Sequence, residues 1–474
     1  MPTDAHYRPA ARYPDAVGDG LYDVVRAASF PEHRLRFRND AAAASLGLAG
    51  LDDAEWLDAF GRFRPLPGNL KRPLALRYHG HQFRHYNPDL GDGRGFLFAQ
   101  LEERGTGRLL DLTTKGTGTT PWSRGGDGRL TLQGAVREVL AAEMLESLGV
   151  RTCRILSVVE TGEQLQRHDE PSPTRAAAMV RVQHSSVRFG TFQRLAYFRD
   201  EASMRRLVEW CTTVLYPELA EAADRPAALL AAARAAAAET LGGWLAAGFV
   251  HGVLNTDNLN ITGESFDYGP YRFLPWLDPG FTAAYFDHSG LYAFGRQSSA
   301  VWWNLQQLAH ALSLVGDRAT LARALDGFER ETQAALRTRF LHRLGVVPDT
   351  EMRDHELLDT AAQVLQAGKL PYDRFFFDWY GGGAAASRAD TGRFGRLYRS
   401  SWFAPLRARL ADRAPARPDV LSDPYFEGDD PVAMVDDVTV GTWAPIARDD
   451  DWSAFDALVG RVRALGVRLG NRPG

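Results

Sequence analysis

Two residues at the end of a strand and in the helix after it are the first in this chain that could do chemistry together. Lys115 closes the apolar run RLLDLTTKG, and Glu138 lies in LTLQGAVREVLAAEMLESLGV. A glutamate beside a lysine orients the ammonium and neutralises it until phosphate arrives. Of the 55 Lys and Arg residues only Lys71, Lys115 and Lys369 are lysine, so this position calls for a compact point charge rather than a planar fork. Downstream, the stretch HGVLNTDNLN from His251 carries Asp257 and Asn258, and Asp267 follows in Asp267-Tyr268-Gly269. An amide oxygen and a carboxylate are hard ligands suited to Mg²⁺ or Mn²⁺. Arg181 and Arg188 bracket RVQHSSVR; two guanidinium groups suit a triphosphate or pyrophosphate, and ordinary surface pairing is the plainer reading. GDGRG (91–95) and SRGGDGR (123–129) could turn backbone N–H groups toward phosphate, although neither is a P-loop, because no Gly-Lys-Ser/Thr follows. The histidines of RYHGHQFRH (His79, His81, His85) lack a zinc pattern such as HExxH and read as incidental members of an aromatic loop.

The elements that must position these groups follow from periodicity. GFLFAQLE and RLLDLTTKG predict two strands joined by the turn ERGTG, then a Gly-rich loop over 116–129 and a helix over 130–150 closed by Gly149. LSVVETG and AAMVRVQ predict another strand pair around a disordered-looking connector, EQLQRHDEPSPTR. Beyond 200 the pattern is helical: 201–220, 225–247 with Asp224 as cap and Pro226 in the first turn, 297–315 and 317–343. Asp278-Pro279-Gly280 reads as a turn. A β-rich part with one helix, followed by a helical part with an Asp/Asn-rich loop, is the order of a two-lobed protein-kinase-like fold of α+β class. The expected divisions are an extension over 1–90, a β-rich lobe over 91–200, a helical lobe over 201–410 and a Pro- and Asp-rich extension over 411–474 that ends in a helix.

Composition narrows the function classes. The 474 residues are 45% hydrophobic with net charge −4, so no global basic field points to nucleic acid. Two cysteines, Cys153 and Cys211, are too few for a disulfide framework or a cysteine metal site. The first twenty residues have no apolar leader, and the most lipid-like stretch, 227–250, contains Arg234 and Glu239, so no membrane association and a cytoplasmic setting are expected. Compared with the kinase loop H-R-D-x-x-x-x-N, Asn258 falls at the seventh position from His251, but the place of the catalytic aspartate is Val253; Asp267-Tyr268-Gly269 imitates Asp-Phe-Gly.

Taken together, GHQF, NPDLGDGR, DLTTKGTGTTPWSRGGDGR, RVQHSSVRFGTFQ, HGVLNTDNLNITGESFDYGPYRFL and DPGF, between about 75 and 315, resemble the selenoprotein O family of kinase-like protein adenylyltransferases. The resemblance implies transfer of AMP from ATP to Ser, Thr or Tyr hydroxyls of proteins, with the nucleotide flipped relative to kinases. It implies Lys115 on the phosphates with Glu138 as partner, Asp257 as proton acceptor, and Asn258 and Asp267 on the metal. Gly91, Gly93, Arg94, Asp127, Gly128, Arg181 and Arg188 would line the nucleotide pocket. Many members end in a redox selenocysteine or cysteine, whereas no cysteine follows Cys211 here. Two other readings stay open: a phosphotransferase that uses Asp257 in place of the residue missing at Val253, and a catalytically inert pseudokinase scaffold. Lys115 is expected to serve the site rather than the core, so that its loss would leave the fold intact.

Overall fold

The computed structural model describes residues 4–168 and 170–472. It is a mixed α/β structure whose main sheet is antiparallel and whose second half is helical. The sheet runs in the spatial order Tyr22–Val24, Leu74–Leu76, Leu97–Glu102, Leu109–Lys115, Thr174–Gln183, Arg154–Leu165, Arg34–Arg38, with the short strand Leu130–Thr131 added beside Thr174–Gln183. The segment before residue 90 therefore supplies both edges of the sheet. The strand of Lys115 is central, and every residue in it is buried. Lys115 stands opposite Met179, and Thr113 opposite Arg181. Because side chains alternate between faces, Lys115 and Arg181 emerge on the same side of the sheet.

The hairpin Arg154–Leu165/Thr174–Gln183 is longer than the sequence predicts. Its strands run into the connector, where Leu165 faces Thr174 and Glu160 receives Arg175 at 2.7 Å. Cross-strand charge pairing extended a ladder that composition alone read as loop. Asp169 of that connector lies outside the described residues.

The predicted helix forms over Leu132–Ser147, capped by the Thr131 hydroxyl, which accepts the Gly134 N–H at 3.0 Å. Its weak amphipathicity has a cause: it is buried on two sides, by the sheet and by the helix Ser453–Arg468. On the second side Glu143 is 3% exposed and receives Arg463 at 2.7 and 2.9 Å and Arg472 at 2.8 Å. The glycines here are close-approach sites, since a Cβ on Gly466 would stand 2.9 Å from Ser147 Oγ.

The helix Arg225–Ala247 forms as expected, with the Asp224 carboxylate accepting the Ala227 N–H and Gly248 at φ +67° closing it. It is buried against Gln297–Leu312 and Phe328–Leu344 rather than in lipid. Among the described residues no helix is long and apolar enough to cross a membrane. The stretch expected as one helix over 317–343 is two, Arg318–Ala324 and Phe328–Leu344, because Gly327 turns the chain at φ +96°. Likewise 201–220 ends its α-helix at Trp210 and passes through a wide turn, Cys211–Leu215, before Pro217. Helix Asp436–Asp449, with Pro445 inside it, was masked in sequence by the surrounding Pro and Asp. Cys153 and Cys211 are free and buried, and burial pushes the Cys153 thiol up to about 12.

Candidate active site

The site is built around one buried ammonium. Lys115 Nζ bonds both Glu138 and Asp267, with the lysine side chain 5% and the glutamate 2% exposed. The strand holds the lysine and the sheet-facing side of the helix holds Glu138. Asp267 arrives from the loop after Phe266, in a left-handed conformation at φ +63°, a local strain kept only where surrounding contacts fix it. Arg181 lies 3.6 Å from Asp267 and 4.0 Å from Glu138, yet its Nε and Nη1 are buried without a hydrogen-bond partner. Burial would raise the Asp267 carboxyl, but Lys115, Arg181, Arg94 and Arg188 hold it well below its ordinary range.

Arg188 is fixed from four directions. Its guanidinium sits 4.5 Å from the Tyr78 ring and 4.9 Å from the Phe266 ring, donates to the Asp257 carbonyl at 3.0 Å, and approaches Asp92 at 3.4 Å. Asp257 and Asn258 lie in a single tight turn, Thr256–Asn258. Asn258 donates its side-chain N–H to the Val253 carbonyl at 3.0 Å, which leaves the amide oxygen as an acceptor. Asp257 is 7% exposed, and its Oδ1 has no partner. Burial raises its pKa to about 6, against the pull of Arg188. A carboxylate with a free oxygen and a pKa near neutrality is suited to accept a proton. His251, which opens the loop, has a structural role: its N–H donates to Gln297, its ring Nε2 meets the Phe266 carbonyl at 3.0 Å, and burial lowers its pKa.

The two Gly-rich runs come together as one wall. Ser123 Oγ donates to the Gly93 carbonyl at 2.5 Å and Thr120 Oγ1 to the Asp92 carbonyl at 2.6 Å. Gly91 is required by contact, for a Cβ there would stand 2.4 Å from the Trp122 ring. At Gly128 the reason is conformational as well, with φ +68° and Gly118 2.2 Å from a Cβ. Asp127 is held by Arg167 at 2.8 Å on the rim.

These parts enclose a cleft of ≈ 690 Å³. Gly91, Gly93, Arg94, Lys115, Asp127, Gly128, Arg181, Arg188, Asp257, Asn258 and Asp267 all line it, as does Val253, and Glu138 supports it from behind Lys115. Sequence reasoning missed Tyr78, Asp92, Trp122 and Arg124 in the same wall. Asp92 and Arg124 stand inside the two Gly-rich runs and Trp122 directly before the second, so the runs were the available signal. The histidines do not converge. His79 pairs with Tyr86 OH at 2.8 Å and His81 with Gln193 at 2.7 Å. Among the described residues no group of three or more His, Cys, Asp or Glu side chains is arranged to hold a metal. The side-chain oxygens of Asn258 and Asp267, both in the cleft wall, are nevertheless hard donors of the kind that Mg²⁺ or Mn²⁺ leaning on phosphates takes.

A cleft with a lysine–glutamate pair, a buried arginine with free donors and an aspartate whose pKa burial raises has the groups that an enzyme acting on nucleotide phosphates needs. The family described as "Protein adenylyltransferase SelO" matches residues 4–463, and the chain belongs to that family of nucleotidyltransferases. It is 44% identical over 462 residues to the protein nucleotidyltransferase YdiU of Gloeobacter violaceus, covering 94% of this chain and 93% of the relative. With that of Synechocystis it shares 42% over 482 residues, covering 97% and 98%, and with that of Trichormus variabilis 47% over 376 residues, covering 79% and 76%.

Proposed function

We propose that the protein transfers AMP from ATP to Ser, Thr or Tyr hydroxyls of protein acceptors and releases pyrophosphate. The observation that carries this reading is the buried, unpartnered Oδ1 of Asp257 in the same cleft as Arg181, whose Nε and Nη1 have no hydrogen-bond partner. In the step proposed, the acceptor oxygen forms a bond to the α-phosphorus, the bond from that phosphorus to the bridging oxygen of pyrophosphate breaks, and the hydroxyl proton passes to Asp257. Lys115 and the free N–H groups of Arg181, with Arg188, hold the phosphates and take up charge as pyrophosphate departs. Glu138 orients the lysine. Asn258 and Asp267 would hold Mg²⁺ or Mn²⁺, which supplies charge neutralisation to the phosphates when bound. The reading includes a kinase-like division into a β-rich lobe, which takes strands from before residue 90 as well as from 91–200, and a helical lobe (201–410), with the nucleotide flipped between them. Val253 in the cleft wall supports the flip, because a valine beside the γ-phosphate could accept no proton.

Incubation of the protein with protein acceptors and ATP labelled at either the α- or γ-phosphate, read by intact-protein mass, tests this. Label enters from α-labelled ATP alone. Incorporation of γ-label that needs Asp257 would replace the proposal with a phosphotransferase, and incorporation of neither label with Mg²⁺ or Mn²⁺ would leave the scaffold reading.

A further inference from the structure

Four exposed aromatic side chains stand in runs of ring contacts beside the cleft. Tyr285 (79% exposed) meets Phe286 (43%) at 5.1 Å, and Phe286 meets Phe83 at 5.8 Å. In a second run, Tyr86 stacks on Tyr197 at 5.6 Å, which meets Phe198 at 5.0 Å; Tyr197 and Phe198 are 56% and 57% exposed. Single exposed apolar residues need no explanation, but two clusters of exposed aromatic rings packed on one hairpin of a reaction cleft mark a binding surface.

The hairpin that joins the two arms, Gly80–Gln82 with His85–Asn87, is fastened to the loop of Asp257. The His81 N–H donates to Thr256 Oγ1 at 2.7 Å, and the Phe83 N–H to Asn255 Oδ1 at 3.1 Å. Tyr292, whose ring lies 5.0 Å from Phe83, donates to the same Asn255 oxygen at 2.9 Å. The backbone comes so near that a Cβ on Gly80 would stand 2.9 Å from Asp257 Oδ1. At the tip, Phe83 and Arg84 take φ +49° and +66°, as the two central residues of a two-residue hairpin turn do.

We propose that this aromatic face docks the acceptor polypeptide, as an extended segment with bulky apolar residues flanking the hydroxyl to be modified. The proposal rests on the reading of the cleft as a site of AMP transfer. The arginines and Gly-rich loops occupy the phosphate side of the cleft, so the acceptor must reach Asp257 from the other side. There the wall formed by Gln82 and Asn255 continues into the Phe83–Phe286–Tyr285 arm. Aromatic rings of this size, half solvent-exposed and held by neighbours, are the anchors that peptide recognition uses.

The test compares two synthetic peptides of equal length with one central serine, flanked by Leu and Phe in one and by Gly and Asn in the other. The full chain is set against the double variant Tyr285→Ser/Phe286→Ser, whose positions lie outside the nucleotide cleft. The wild type is expected to use the apolar peptide with a KM lower by about tenfold, and the double variant to lose that preference with kcat and ATP affinity unchanged. Equal KM for the two peptides in the wild type, or an unchanged preference in the variant, overturns the proposal. A wild-type dimer that the double variant dissolves, seen by light scattering, also overturns it in favour of a second copy on this face. Should α-label enter neither peptide nor β-casein, the transfer reading fails, and docking is decided separately by anisotropy of the fluorescent apolar peptide: binding lost in the double variant supports it, and no wild-type binding sinks it.

Discussion

Lys115 is more deeply committed than a strand-end lysine predicts. It bridges two carboxylates while 5% exposed, so removing it takes the ammonium from between Glu138 and Asp267 and leaves Arg181, Arg94 and Arg188 as the cations acting on Asp267. This buried pairing argues against the expectation that the fold is indifferent to its loss. Lys115→Ala should abolish transfer and also lower unfolding free energy by about 3–5 kcal/mol, measured by urea denaturation; an unchanged midpoint would show the pair to be unimportant to the fold. Asp257 carries the opposite cost. Its folded pKa of about 6 lies above the ordinary 3.8 because it is buried, so the native state binds its proton more tightly than the unfolded chain. Stability from this group is full below about pH 4 and is lost as pH rises through 6, a difference of roughly 3 kcal/mol. Asp257→Asn should match the wild type near pH 4, exceed it in stability at pH 8 and lack transfer activity. In the wild type kcat/KM should climb as pH passes through about 6. A flat pH profile across that range would remove Asp257 from the proton path.

At the level of elements, the site depends on how tightly loops meet. Gly91 has no room for a methyl against Trp122, and overpacking of this kind costs about 1–3 kcal/mol. Gly91→Ala should accordingly weaken ATP binding by roughly tenfold or more in calorimetry, because the shift falls on the cleft wall; undiminished affinity would mean that the loop moves freely. The strand of Lys115, the helix of Glu138 and the long buried helix 225–247 were all legible, since apolar spacing and caps such as Asp224 act within a few residues. Asp257, Asn258 and Asp267 were legible through their order along the chain. Asp92 and Tyr78 were not. Their importance comes from Arg188, which they flank from 96 and 110 residues away in sequence, as an ion pair and a ring contact that no local pattern encodes. The connector at 163–175 was misread for the same reason, because Glu160 and Arg175 become neighbours only when the hairpin closes.

Over the whole molecule, the helix that carries Glu138 is held between sheet and tail. Arg463 and Arg472 surround the buried Glu143 one and a half turns along that helix from Glu138. Replacing both arginines by alanine would leave a buried carboxylate unpaired, at a cost of several kcal/mol. Arg463→Ala/Arg472→Ala should thus lower the unfolding midpoint and raise the KM for ATP, because helix 132–147 loses its outer support; if ATP binding holds while stability falls, the tail supports the fold alone. The same clasp has a consequence in time. Glu143 leaves the ribosome 320 residues before Arg463, an interval of roughly half a minute at about 10 residues per second. For that interval the nascent chain carries the helix of Glu138 without the partner that covers its outer face. A chain halted in synthesis before residue 463 would thus carry every residue of the cleft and still lack the Arg463 and Arg472 clasp on Glu143.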